Sequence, residues 1–168
     1  MLLRLFPAAL LSLGLAAQAA DPMSLPAGPA PVGGAAFGVT PAAGPAVADR
    51  AGFISWKTLA LVEAVPQGQS FTPKFDKSIV SLDKKVVKLQ GFMLPLGMGE
   101  AQNHFILTST PPTCAFCLPG GPDQVIEVKT SKPIKFGYEA VALTGKFELL
   151  KNDPMGLYYR VSDAKQLD

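Results

Sequence analysis

Two cysteines, Cys114 and Cys117, are the only cysteines in the chain, and two residues separate them. At this spacing a pair of sulfurs can close a disulfide, cycle between dithiol and disulfide, or bind one soft or borderline metal ion. Prolines and glycines fill every position from Pro119 to Pro122, so no helix can continue from the pair. A thioredoxin-type site uses a helix N-terminus to stabilise its thiolate. The flanks therefore favour a metal-binding loop or a fixed disulfide over redox cycling.

A closed zinc site needs two further ligands beyond the two cysteines. The candidates are His104, Asp123 and Glu100, and His104 is the only histidine in the chain. We expect Cys114, Cys117 and His104 to form the metal site. The alternative for His104 is an ordinary half-exposed residue at a strand start, because five residues of strand span about 17 Å and would carry it away from the loop. Asp123 is more typical of a turn residue.

Copper is the rival to zinc at this loop. Monovalent copper prefers thiolate and thioether ligands and needs fewer of them. Met98 lies in a glycine-flanked turn and is the most exposed sulfur candidate, whereas Met93 is more typical of a core position and Met155 is a third possibility. An incomplete ligand set would suit a transfer protein that shares its ion with a partner.

The composition argues against several other classes of function. A single histidine, with no nucleophile motif and no phosphate-binding loop, gives no catalytic triad and no nucleotide site. The formal charge of +2 becomes +1 once Arg4 is removed with a leader peptide, so electrostatics favour neither nucleic acid nor an acidic membrane surface. The sequence therefore gives no support for hydrolytic catalysis.

Three segments follow one another along the chain. Residues 1–19 have the charge, apolar run and small-x-small cleavage pattern of a signal peptide, which predicts export to the periplasm and no transmembrane segment in the mature chain. Residues 20–51 are rich in proline, alanine and glycine and are predicted to be a disordered linker. Residues 52–168 have the length of one small domain. Export to an oxidising compartment also favours a disulfide over free thiols.

The domain shows the patterns of a small β-barrel. Phe53, Trp56 and Leu59 recur at helical spacing, with Ser55 as the expected N-cap and Pro66 as the stop. A short helix or turn is predicted over residues 74–82. Alternating apolar residues then predict five strands, over residues 86–94, 104–108, 125–129, 140–150 and 157–161. Gly91 and Gly145 inside the long strands indicate sharp coiling. The predicted fold is mostly β, a five-stranded, OB-like antiparallel barrel with one or two short helices.

These motifs together resemble the DUF3299 family of exported bacterial proteins. The resemblance rests on the strand over residues 87–96, on Cys114-Ala115-Phe116-Cys117, and on the closing strands over residues 141–147 and 158–164. It implies a small periplasmic OB-like domain of unproven activity, with some members encoded beside an ABC transporter and a zinc-related gene. The cysteine loop in other members often has histidine within it, which implies metal ligation, whereas Phe116 occupies that place here.

The function expected on these grounds is a periplasmic metal-binding accessory protein. Zinc or copper would bind at the cysteine loop, and the partner would be a transporter or another exported protein. The alternatives are a non-catalytic scaffold module in which Cys114 and Cys117 form a structural disulfide, and a thiol–disulfide oxidoreductase.

Overall fold

The computed structural model describes residues 44–68, 70–113 and 120–167. The elements in chain order are helix α1 (Trp56–Leu59), strands β1 (Val62–Gln67) and β2 (Ser70–Phe75), helix α2 (Lys77–Val80), strands β3 (Val86–Pro95) and β4 (Ala101–Thr108), a 3-10 helix (Pro122–Gln124), and strands β5 (Val125–Lys135), β6 (Val141–Leu149) and β7 (Tyr159–Gln166).

Strands β3 to β7 form a closed barrel in the order β3-β4-β5-β7-β6, which confirms the predicted five-stranded OB-like fold. The contact between β5 and β7 is parallel, and the other four are antiparallel, so the barrel is mixed rather than purely antiparallel. A parallel neighbour cannot be reached through a tight hairpin. The strand β6 therefore lies between β5 and β7 in the sequence but not in the sheet.

The barrel interior is filled by the alternating residues that the sequence predicts. Val87, Leu89 and Met93 of β3 are buried together with Phe147 of β6 and Tyr159 of β7. Trp56 closes this core from α1, and its indole N–H donates to the carbonyl of Gln90 at 2.9 Å. The lone tryptophan is therefore a packing residue with a satisfied polar atom.

A second apolar cluster lies on the outside of the barrel. It consists of Leu94, Ile106, Val125 and Leu157, with Leu150 packed against it. The predicted fifth strand includes Leu157, but β7 begins at Tyr159 and Leu157 belongs to the β6–β7 connection. This connection thus folds over the outer face of the sheet and covers apolar side chains there.

The region between α1 and β3 differs from the expected helix. The Ser55 hydroxyl accepts from the Lys57 backbone N–H as the predicted N-cap, but α1 ends at Leu59, well before Pro66. Pro66 instead lies in β1, which pairs with β2 in a separate antiparallel hairpin. Helix α2 confirms the short helix expected within residues 74–82, with Asp76 as its N-cap.

The end of the predicted linker contacts the barrel. The N–H of Val47 donates to the carbonyl of Ser109 at 2.8 Å, and Val47 packs partly against the core. Asp49 accepts a hydrogen bond from the Ser55 hydroxyl at 2.6 Å and pairs with Lys57 at 3.0 Å. Residues 44–51 therefore lie against the domain, and the domain limits otherwise stay a prediction.

Gly91 is expected to be sensitive to substitution. A Cβ at this position would lie 2.6 Å from the Thr108 carbonyl oxygen and 2.9 Å from Leu107 Cγ, where β3 changes partner from β6 to β4. We expect Gly91→Ala to lower the free energy of unfolding by about 1–3 kcal/mol, because the backbone must shift to accommodate the methyl group. Urea denaturation would measure this.

Gly137→Ala is the matched control, because a Cβ at Gly137 would meet no atom within 4 Å. Equal stability of the Gly91→Ala and Gly137→Ala variants would contradict the packing explanation.

Candidate functional site

The cysteine loop begins and ends in described residues, although Cys114 and Cys117 themselves lie outside them. The loop joins β4 to β5, and its stem is held by two contacts between Ser109 and Gln124. The Ser109 N–H donates to the Gln124 carbonyl at 3.2 Å, and the Ser109 hydroxyl donates to Gln124 Oε1 at 2.6 Å. The Gln124 side-chain amide in turn donates to Asp123 at 2.8 Å. The stem is therefore fixed to the barrel on both sides.

The direction of the strands places the predicted ligands relative to this stem. β4 runs from the β3–β4 connection toward the stem, so Met98 lies at the opposite end of a strand of eight residues. β7 pairs in parallel with β5, so both strands begin at the stem end, and the β6–β7 connection that contains Met155 lies there too. Asp123 lies in the 3-10 helix beside the stem. Met93 is a core residue, 1% exposed.

His104 lies on the outer face of β4, four residues before the end of the strand. It is opposite Lys129 in the register with β5. Its side chain is 47% exposed, and its Nε2 lies 2.8 Å from Glu127 Oε1. The structure therefore brings His104 to a carboxylate on the neighbouring strand; its predicted role as a metal ligand stays a prediction.

Glu127 is the centre of a charge cluster that consists of Glu127, His104, Lys129, Arg160 and Asp153. Its side chain is only 8% exposed. Arg160 Nε donates to Glu127 Oε2 at 2.5 Å, and Lys129 Nζ lies 3.3 Å from Oε1. Both carboxylate oxygens are thus engaged by cationic or potentially cationic groups.

Arg160 connects this cluster to the β6–β7 connection. Its Nη2 lies 3.6 Å from Asp153 Oδ1. The other carboxylate oxygen of Asp153 accepts from the backbone N–H groups of Met155 at 3.0 Å and Leu157 at 3.3 Å. The charge cluster therefore helps to hold the connection that covers the outer apolar residues.

Burial and charge act in opposite directions on Glu127. Burial is the largest influence and would raise its pKa, but hydrogen bonds from Arg160 and His104, the positive charge of Arg160 and a contact from Lys129 together lower it. Glu127 is therefore a carboxylate held in its ionised form. All its near partners are donors, so it is suited to orienting His104 and Arg160 rather than to accepting a proton from a substrate.

The described candidates Asp123 and Glu100 do not form a metal site with His104. Within residues 44–68, 70–113 and 120–167 no three His, Cys, Asp or Glu side chains lie close enough to hold a metal ion. Glu100 contributes its backbone carbonyl to the Phe136 N–H at 2.8 Å.

The charge cluster was missed by the sequence reasoning. Its one signal is Glu127 itself, which stands among the apolar residues Val125, Ile126 and Val128 in a strand. A charged residue in such a position is rarely fully buried without a partner.

The fold and this site define a small OB-like barrel domain with a charge cluster on its outer face and a hydrogen-bonded loop stem at one end. The family described as "Protein of unknown function (DUF3299)" matches residues 60–159, so the chain belongs to the DUF3299 family, which confirms the resemblance.

A crystal structure of a DUF3299 family protein from Pseudomonas aeruginosa PAO1 is similar to this chain, with 22% sequence identity and a TM-score of 0.45. The similarity covers 57% of this chain and 68% of that one. No curated protein matches the chain. In the part of the chain that the structure describes, no helix has the length and apolar character needed to span a membrane.

Replacing Glu127 with glutamine tests the charge cluster. We expect Glu127→Gln to reduce the free energy of unfolding at pH 7 by about 1–3 kcal/mol, because a hydrogen-bonded charge is removed from beside Arg160. In the folded chain the pKa of Glu127 lies below its ordinary value of 4.5. Its contribution is therefore complete above about pH 4.5 and is lost as the pH falls through the folded-state pKa.

Urea unfolding of the native and variant chains at pH 7 and pH 3 measures both effects. Glu63→Gln is the control, since Glu63 pairs with Lys74 on the surface and both side chains are more than half exposed. A difference between native and Glu127→Gln chains that stays constant with pH would contradict the assignment.

Proposed function

We propose that this chain is a periplasmic, non-catalytic metal-binding accessory protein, in which Cys114 and Cys117 bind zinc or copper. A transporter or another exported protein would be the partner that receives or supplies the ion. The proposal is supported chiefly by one observation: the loop that contains both cysteines starts and ends on a stem fixed by the Ser109–Gln124 contacts.

A fixed stem favours ligation because it limits the entropy that the loop loses when an ion binds. The Thr108 hydroxyl also donates to the Thr110 carbonyl at 2.8 Å, which orders the chain where it leaves β4. The prolines that flank the cysteines in the sequence restrict the backbone further. Two thiolates on such a loop can bind a thiophilic ion without large rearrangement of the barrel.

The strand directions select which additional donors could complete the site. Met155 and Asp123 are at the same end of the barrel as the stem, whereas Met98 is at the other. Met155 is half exposed, so its sulfur is accessible to a metal ion. Thioether sulfur would favour copper, and the Asp123 carboxylate would favour zinc. His104 is farther along β4 and already contacts Glu127, which makes it the weakest donor of the three.

Metal content tests the proposal directly. The chain purified from the periplasm should retain zinc or copper, measured by elemental mass spectrometry. The Cys114→Ser variant should lose this metal. Loss is expected because one remaining thiolate holds a thiophilic ion far more weakly than two. Cys117→Ser should behave in the same way.

Two methionine variants provide a matched comparison. Met155→Leu should weaken copper retention if Met155 contributes sulfur, whereas Met98→Leu should leave it unchanged because of its position at the opposite end of β4. A native chain that lacks metal and is two hydrogens lighter than its dithiol mass would contradict the proposal and support the structural disulfide. Turnover with a dithiol donor would support the oxidoreductase instead.

A further inference from the structure

The first half of β3 has one edge that the barrel does not cover. Residues Val86 to Gly91 pair with β6 on one side. The pairing with β4 on the other side begins only at Phe92. The edge that faces away from β6 over the first half of β3 therefore has no barrel strand beside it.

The hydrogen bonds show which backbone groups lie on this edge. The Lys85 carbonyl accepts from Phe147 N–H of β6 at 2.8 Å, and the Val87 carbonyl accepts from the Thr144 hydroxyl at 3.0 Å. Because successive residues of a strand direct their N–H and C=O groups to opposite sides, Val86 and Lys88 direct theirs away from β6. The Lys88 carbonyl confirms this, since it accepts from the Ile54 N–H at 2.8 Å.

The segment before α1 covers only part of this edge. The Ile54 N–H bonds to the Lys88 carbonyl, and the Trp56 indole bonds to the Gln90 carbonyl. On the N-terminal side of Ile54 the chain bends away from β3, in a turn in which the Phe53 N–H bonds to the Arg50 carbonyl at 3.1 Å. Within the described residues, the N–H and C=O of Val86 and the N–H of Lys88 have no hydrogen-bond partner. The Val86 side chain is 77% exposed.

A groove of about 540 Å³ runs beside this open edge. Its apolar lining comes from Phe53, Ile54, Leu82, Val86 and Val87. An extended segment laid along the edge would place alternate side chains into this groove and the others toward solvent.

Two cationic side chains lie at the groove. Lys88 lines it, and the Arg50 guanidinium lies 4.6 Å from the centre of the Phe53 ring. The nearby acidic groups are engaged elsewhere: Asp49 pairs with Lys57, and Asp76 caps α2. Neither cation has an ion pair among the described residues, so both are available to the carboxylates of an occupant.

We propose that this edge of β3 binds an extended segment of a partner protein in which apolar residues alternate with acidic ones. The backbone of the segment would bond to Val86 and Lys88, its apolar side chains would enter the groove, and its carboxylates would contact Lys88 and Arg50. This surface is separate from the cysteine loop, and binding here does not require a metal ion.

A peptide titration followed by NMR tests the proposal on the exported chain. The probe is a short capped peptide of alternating valine and glutamate, and its counterpart alternates valine and lysine. The acidic peptide should shift the backbone amide signals of Val86 and Lys88 saturably, and the basic peptide should bind at least about tenfold more weakly because of the charge.

Two variants separate the backbone and charge contributions. Val86→Pro removes the edge N–H without removing a bond to β6, and the first residue of a strand tolerates proline. It should weaken the acidic peptide about fivefold, the effect of one hydrogen bond. Lys88→Glu should reverse the preference between the peptides, and Lys132→Glu, an exposed lysine on β5, is the control that should change nothing.

Several results would overturn the proposal. These are the absence of saturable shifts at Val86 and Lys88, equal binding of the two peptides, and binding that survives both edge variants. Shifts of the same signals that depend on protein concentration without peptide would mean that a second copy of the chain occupies the edge. Each of these leaves metal retention by the cysteine loop untouched, so the two proposals fail separately.

Discussion

A buried hydrogen bond from Tyr159 to the carbonyl of Leu59 joins the two halves of the domain. The Tyr159 hydroxyl lies 2.6 Å from that oxygen, and the side chain is fully buried. Burial, with the Asp123 carboxylate as a lesser influence, raises the pKa of Tyr159, so the hydroxyl remains a proton donor. An unpaired buried hydroxyl is costly, so this bond stabilises the contact between the end of α1 and β7. The ring also stacks on Phe147 at 5.6 Å and contacts Phe75 at 5.8 Å, which ties β6 and the β1–β2 hairpin to the same point.

Much of the barrel could be predicted from the sequence because its strands have one buried face. The alternation of Val87, Leu89 and Met93 in β3 follows from the period of a strand and needs no knowledge of neighbours. The parallel contact of β5 with β7 could not be predicted in this way, because alternation shows which face of a strand is buried but not which strand lies beside it. The β1–β2 hairpin was missed because Pro66 and Pro73 are typical of strand breaks. They are tolerated here because the hairpin is a separate two-stranded sheet in which each strand has an outer edge.

The charge cluster shows which part of a site the sequence alone does not reveal. His104 and Glu127 are 23 residues apart in sequence, and only the register of β4 with β5 brings them within 2.8 Å. Arg160 reaches the same carboxylate through the parallel contact, which the sequence does not reveal. Cys114 and Cys117, by contrast, are close in the chain itself, so a prediction about them needs no knowledge of the fold. A local motif is readable from sequence, whereas a cluster assembled by strand pairing is not.

Closure of the barrel determines where backbone groups of the sheet stay unpaired. A closed sheet leaves no continuous edge, which protects it from unwanted pairing with other strands. Part of the β3 edge stays unpaired because β3 is longer than its overlap with β4. In addition, the segment before α1 bends away from β3 near Arg50 and leaves the Val86 backbone without a partner among the described residues. The position of α1, fixed through Leu59 and Tyr159, sets where residues 54–56 lie and therefore how much of the edge stays open. The same bond that completes the core thus also determines how much of the β3 edge stays unpaired.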